Sequence, residues 1–168
     1  MSRHSPAGEV RGGSVADAAA CAAIYAPYVT DTAISFETDP PSEEEMAARI
    51  IAAASGHAWL VLEAEGRVVG YAYGAPFRSR AAYHFACEVS AYVELGRRRT
   101  GAGRALYEAL FVELAERGLR IAVAGMTLPN EASVGLHRAL GFEAVGTFRE
   151  VGFKHGAWHD VAWMQRHL

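Results

Sequence analysis

The sequence predicts a single α/β domain built on a mixed sheet. Strand-like and helix-like segments alternate through the middle of the chain, while hairpin patterns stand at both ends. That arrangement argues against a purely parallel sheet. The 168 residues are 51% hydrophobic, enough for one full-sized core, and no repeat or low-complexity linker divides them.

In order along the chain, residues 1–8 read as a loose tail and 9–168 as the domain. Asp17 is placed to cap a helix carrying Cys21, Ile24, Tyr25 and Tyr28, and Pro27 is expected to end or kink it. Residues 30–42 read as a loop with a short strand-like centre. Ser42 and Glu45 form a capping box before Met46, Ile50 and Ile51, which share a helical face, and Gly56 closes that helix. Two apolar runs joined around Glu65-Gly66 read as a hairpin that Pro76 stops. Residues 82–95, rich in aromatic and β-branched side chains, read as a strand. Leu106, Leu110 and Leu114 recur every four residues on the next helix, which Gly118 ends. A buried-type strand over "IAVAGMTL", a short helix over "NEASVGLHRAL" and a final hairpin turning at His155-Gly156 complete the chain.

Net charge is −3, which argues against nucleic acid as a partner for the chain as a whole. The basic charge is local. Arg97, Arg98, Arg99 and Arg104 lie within "RRRTGAGRALYEAL", between a strand and a helix, and point to a small anionic ligand. Gly101 and Gly103 remove side chains where backbone must turn sharply or approach a ligand closely. The helix start supplies free N–H groups and the positive dipole end. Neither GxxxxGK[ST] nor GxGxxG is present, and the stretch also reads as an ordinary strand-to-helix turn with solvated arginines. Cys21 and Cys87 lack metal-ligand spacing and are expected as reduced core residues. His155, His159 and Asp160 fall short of a metal site, so no metal is expected. No apolar run reaches membrane-spanning length, and "MSRHSPAGEVRGGS" lacks the apolar centre of a signal peptide. No membrane partner is expected, and a cytoplasmic location is the default.

"RRTGAG" (98–103) resembles the [QR]-x-x-G-x-[GA] pyrophosphate loop of the GNAT superfamily of N-acetyltransferases. "NEASVGLHRALGF" (130–142) resembles that superfamily's Asn-led helix ending in Gly-Phe. The blocks "IYAPYVTDTAISFET", "YAYGAPFRSRAAYHFACEVSAYVE", "LPNEASVGLHRALGF" and "GFKHGAWHDVAWMQR" resemble, in order, the phosphinothricin and methionine sulfoximine acetyltransferase branch. The resemblance runs from about residue 15 to the end. It implies a GNAT fold: a mostly antiparallel, splayed central sheet flanked by about four helices. It further implies acetyl-CoA as co-substrate, a small amino acid as acceptor, and a homodimer.

By the same resemblance, Ala91, Tyr92 and Val93 would meet the pantetheine arm. Arg98, Arg99, Thr100, Gly101, Ala102, Gly103 and Arg104 would hold the pyrophosphate, with Asn130 and Ser133 contributing from the next helix. Phe36, Thr38, Arg78, Ser79, Arg80, Tyr83, Val89 and Ser90 would line the acceptor site with Glu88. Glu88 sits mid-strand among apolar residues, where a buried charge needs a reason. A carboxylate of raised pKa there can take the proton an ammonium must lose before attacking a thioester. An outward-facing residue or a structural ion pair is the plain alternative. Arg78 and Arg80 suit bidentate contact with a carboxylate or phosphinate, or are ordinary surface charge. For Phe36 and Tyr83 core packing is an equal reading, and Asn130 reads equally as an N-cap. His137 stands where many relatives carry a tyrosine that protonates the leaving thiolate, and it reads either as that acid or as a packing residue. An acetyltransferase for a protein N-terminus or polyamine, and an acetyl-CoA-binding regulator without turnover, are the competing functions.

Overall fold

The computed structural model describes residues 3–5, 7–97 and 99–168. Strands β1 (Arg3–Ser5) and β2 (Gly8–Gly12) precede helices α1 (Ala18–Thr30) and α2 (Glu43–Gly56). Strands β3 (Trp59–Ala64), β4 (Arg67–Pro76) and β5 (Ala86–Val93) follow. Then come α3 (Ala102–Glu116), β6 (Ile121–Thr127), α4 (Glu131–Ala139), β7 (Glu143–Lys154) and β8 (Ala157–His167). They form one sheet of order β1-β2-β3-β4-β5-β6-β8-β7, antiparallel throughout except for β5 against β6. The expected mixed sheet, mostly antiparallel and with four flanking α-helices, is present among the described residues.

Local chemistry accounts for the punctuation. The hairpin turns place Glu65 and Gly66 (φ 56° and 75°), and His155 and Gly156 (φ 51° and 73°), in the left-handed region that two-residue turns require. The capping box at α2 is complete: Glu45 N donates to Ser42 Oγ, and Ser42 N donates to Glu45 Oε2 at 2.7 Å. Three expectations need correction. Residues 3–5 are not a loose tail, because Arg3–Ser5 pairs with Gly8–Val10 at the edge of the sheet, where β2 otherwise has an open ladder. Pro27 does not end α1; the helix continues to Thr30, and Asp31 N closes its last turn on the Pro27 carbonyl. The candidate strand over 82–95 shortens to 86–93, with a 3₁₀ turn at Ala81–Tyr83 before it.

Alternation along the central strands divides the core in two. Leu60 and Leu62 of β3 and Cys87 and Val89 of β5 join Leu106, Leu110 and Leu114 of α3 on one face. Trp59 and Val61 of β3 and Tyr71 of β4 join Cys21, Tyr25, Met46 and Ile50 of α1 and α2 on the other. Helix α4 lies on the α3 face, where Gly103 makes room for Leu136.

The feature that positions the site is the short pairing of β5 with β6. It covers only Ala86, Cys87 and Glu88 against Ile121, Ala122 and Val123. Beyond it β5 stays on β4 up to Val93, while β6 stays on β8 up to Thr127. The two halves of the sheet therefore part immediately after Glu88 and leave a gap.

Candidate active site

Backbone direction in the gap follows from the β4–β5 ladder. Glu94 N donates to Val69 O, and the pairs alternate, so Ser90 and Tyr92 turn their amide groups toward β4. Val89, Ala91 and Val93 turn theirs toward the gap. The Val93 carbonyl accepts from the Tyr28 hydroxyl of α1. Of the three residues expected to meet an extended substrate arm, Ala91 and Val93 thus face the gap. The amide groups of Tyr92 lie in the ladder, and its ring packs edge-on against Tyr25 and Tyr28. Val89 is buried on the α3 face.

Glu88 is the last residue of β5 paired to β6, and its side chain shares the α1–α2 face with Ser90 and Tyr92. Burial pushes its carboxyl above the ordinary value of 4.5, and the Arg78 charge pulls in the opposite direction. Among the described residues the carboxylate forms no hydrogen bond or ion pair. Tyr73, the β4 partner of Ser90 and thus diagonal to Glu88, stacks on Trp59 with ring centroids 4.6 Å apart, and burial raises its pKa as well.

On that face, a cavity of about 510 Å³ is lined by Phe77, Arg78, Tyr83, Val123, Trp163 and Gln165, among others. Arg78 is exposed. Its Nη1 donates to Phe77 O at 3.1 Å, and its guanidinium lies 4.3 Å from the Phe77 ring centre. Glu88 adjoins this cavity through its register partner Val123. Ser79 and Arg80 are exposed beside it without lining it. Phe36 lies farther along the same face, its ring against Gly152 and 6.2 Å from His159. Thr38 is exposed and bonds Asp39. The structure therefore puts Arg78 and Tyr83 in one cavity, with Glu88 beside it through Val123 and within electrostatic reach of Arg78, and leaves Phe36 and Thr38 on the loop between α1 and α2.

At the other end of β5 the chain turns into α3. Arg98 lies outside the described residues. Arg99 has φ 60° and Gly101 φ 80°, and Gly101 is the N-cap of α3. The first intrahelical acceptor is Gly101 O, bonded by Ala105 N, so the amides of Ala102, Gly103 and Arg104 precede the helical ladder. Ala102 N lies 3.4 Å from Thr100 Oγ1. Arg99 is exposed, while Arg104 pairs with Glu108 at 3.3 Å. Arg97 is committed elsewhere, to Glu94 and Glu65. Gly101 is the glycine the turn requires; Gly103 serves the contact with Leu136 instead.

Asn130 caps α4, its Oδ1 accepting from Ser133 N at 3.2 Å. It also borders a cavity of about 1130 Å³ between α4 and the β7–β8 hairpin. His137 is 3% exposed. Its Nδ1 donates to Ser133 O at 2.7 Å, since a carbonyl only accepts, which leaves Nε2 to accept from the Tyr107 hydroxyl at 3.2 Å. Burial lowers its pKa. Among the described residues no His, Cys, Asp and Glu cluster is able to hold a metal. His159 Nε2 donates to Lys154 O, and Asp160 accepts from Glu150 N.

This gap, with a carboxylate at its apex and a free helix start at its mouth, coincides with a family match. Residues 13–163 match the Acetyltransferase (GNAT) domain. The chain belongs to the GNAT acetyltransferase family. It is 39% identical to phosphinothricin N-acetyltransferase of Streptomyces viridochromogenes, over 94% of this chain and 86% of that one. It is 37% identical to the L-methionine sulfoximine/L-methionine sulfone acetyltransferase of Pseudomonas aeruginosa, over 95% and 94%. The crystal structure of a phosphinothricin acetyltransferase from Sinorhizobium meliloti, in complex with acetyl-CoA, superposes with a TM-score of 0.90. The two chains are 40% identical, over 95% of this one and 87% of that one.

Sequence reasoning missed three residues in the surroundings of this candidate site. Tyr73 and Trp163 reach it only through strand register. Lys154 left a signal that went unused, a lone lysine after Gly-Phe in an apolar hairpin.

Proposed function

We propose that this acetyltransferase moves the acetyl group of acetyl-CoA to the primary amine of a small amino acid with a tetrahedral, partly anionic side-chain head. Phosphinothricin and methionine sulfoximine are acceptors of that kind. The observation that carries the reading is Glu88, a carboxylate of raised pKa at the point where β5 and β6 part, beside the cavity that holds Arg78. The substrate thioester lies along the open edge of β5, its carbonyl polarised by backbone N–H near Val93. Its pyrophosphate takes the amides at the start of α3, with Arg98, Arg99 and Arg104. Arg78 receives the acidic end of the amino acid, and Glu88 takes one proton from its ammonium, directly or through water. The freed nitrogen lone pair attacks the thioester carbon, and the C–S bond breaks with its electron pair on sulfur. The second amine proton neutralises the coenzyme A thiolate, whose basicity is close to that of a Cys thiolate, so no dedicated acid is needed. In this reading His137 holds α4 to α3 and transfers no proton.

A homodimer and a cytoplasmic location belong to the same proposal. Outer strand β7 exposes Val145, Phe148, Val151 and Phe153, an apolar surface suited to a second copy. The two buried free cysteines suit a reducing compartment. No described helix is long and apolar enough to cross a membrane.

Thiol release from acetyl-CoA tests the reading. The acceptors are phosphinothricin, methionine sulfoximine, glutamate, a polyamine and a short peptide. The expected kcat/KM for the first two exceeds that for polyamine and peptide by about 100-fold or more. Preference for the peptide overturns it in favour of protein N-termini. Acetyl-CoA binding without turnover of any amine overturns it in favour of a regulator.

A further inference from the structure

Beyond Glu88 no sheet hydrogen bonds join the two halves of the sheet among the described residues, yet on the acceptor face the Lys154 side chain crosses between them. Lys154, the last residue of β7, is 6% exposed. Its Nζ donates to Val29 O and to Ser35 O, each at 2.6 Å. Val29 is in the last turn of α1, whose tyrosines pack on β5, so the ammonium meets a helix C-terminus that has spare carbonyls and a negative dipole end. Ser35 belongs to the loop between α1 and α2. Its hydroxyl pairs with Tyr25 at 2.6 Å and accepts from Glu37 N, and Glu37 is in turn paired with Arg49.

A buried ammonium that forms no ion pair among the described residues is costly to keep. Its charged bonds to two carbonyls are correspondingly directional. They tie the β7–β8 half of the sheet to α1 and, through α1, to β5. The loop they fix displays two apolar side chains, Ile34 and Phe36, which remain 41% and 40% exposed. Holding apolar groups exposed on a pinned loop gives a preformed wall for a ligand. Phe36 is seated a second time on β7, where a Cβ at Gly152 would overlap its ring.

We propose that Lys154 is a positioning residue for the acceptor amino acid: it spans the open sheet above Glu88 and sets both the width of the gap and the place of Phe36. The inference rests on the acceptor lying on that face, as in the proposed function. The test measures both Michaelis constants and acetyl-CoA affinity for wild type, Lys154→Met, Gly152→Ala, Phe36→Ala and Lys154→Met with Phe36→Ala, using methionine sulfoximine as acceptor. The expected result for Lys154→Met is an acceptor KM raised about 10-fold or more, with acetyl-CoA Kd and the kcat at saturating acceptor each within about threefold. Gly152→Ala, which displaces Phe36 without touching Lys154, raises the acceptor KM likewise and reads the same contact should Lys154→Met fail to fold. The double variant adds little to either single one, because coupled residues are non-additive. An acceptor KM within about twofold of wild type in folded Gly152→Ala or Lys154→Met overturns the inference, as does full additivity in the double variant. A wild-type enzyme that acetylates no amino acid overturns the proposed function, and this inference with it.

Discussion

A carboxylate at position 88 sits where the fold disfavours its charge and where, in the proposed function, an amine has a proton to lose. The same environment governs activity and stability. Glu88→Gln keeps the shape and removes the acceptor, so kcat should fall about 10²–10⁴-fold at neutral pH with acetyl-CoA affinity unchanged. The deficit should shrink as pH rises and solution supplies neutral amine. Between the ordinary value of 4.5 and the raised value, the folded chain keeps a proton that the unfolded chain has released. Stability therefore falls as pH rises through that window, and Glu88→Gln should melt at a higher temperature than wild type at neutral pH. Scanning calorimetry showing a lower Tm would contradict this account of the burial. Arg78 is exposed, so its charge is screened until substrate covers it. Arg78→Ala should raise the acceptor KM about 10-fold, ~1.4 kcal/mol, with acetyl-CoA affinity intact. Arg80→Ala should do less, since Arg80 does not line the cavity; reversed effects would move the acceptor's acidic end to Arg80. Glu88 was legible because a charge interrupts an apolar run. Trp163 was not, because its place beside Phe77 depends on pairing with Gly125 across β6 and β8.

At the scale of elements, the legible parts were those fixed within a few residues. The Ser42 and Glu45 capping box and the two hairpin turns each have their physical cause in adjacent side chains or left-handed φ values. The leucines spaced by four on α3 likewise gave its buried face, and all three are fully buried. The chain edge was not legible, because Arg3–Ser5 gains its structure only from β2. The divergence of β5 from β6 was not legible from spacing either; it entered through the resemblance of whole blocks. The α3–α4 contact supplies a further test. Tyr107 donates to His137, and both are buried among Phe111 and Phe142. Tyr107→Phe leaves the imidazole nitrogen without its donor and should cost about 1–3 kcal/mol in chemical denaturation. Its kcat and the pH dependence of kcat should match wild type. A kcat loss of about 100-fold or more in the folded variant would return His137 to the chemistry.

For the whole molecule, the sheet is held together at Glu88 and open above it, so two substrates can approach one point from opposite sides. In the proposed function, acetyl-CoA comes from the α3 start and the amino acid from the face of α1 and α2. The exposed β7 strand lies on the opposite edge of the sheet from β1, and a second copy docked there would border the acceptor cavity, which Val145 and Phe148 line. Val151→Glu with Phe153→Glu should convert a dimer to a monomer by light scattering. An unchanged mass would remove β7 from the interface. The central claim is direct transfer inside a complex of all three components, with no acetylated enzyme between. It is tested most directly by initial rates of thiol release with acetyl-CoA and methionine sulfoximine varied together. Intersecting reciprocal plots, with no thiol released until the amine is added, are predicted. Parallel plots, or a stoichiometric burst of thiol in the absence of amine, would mean a covalent acetyl-enzyme and would contradict the account.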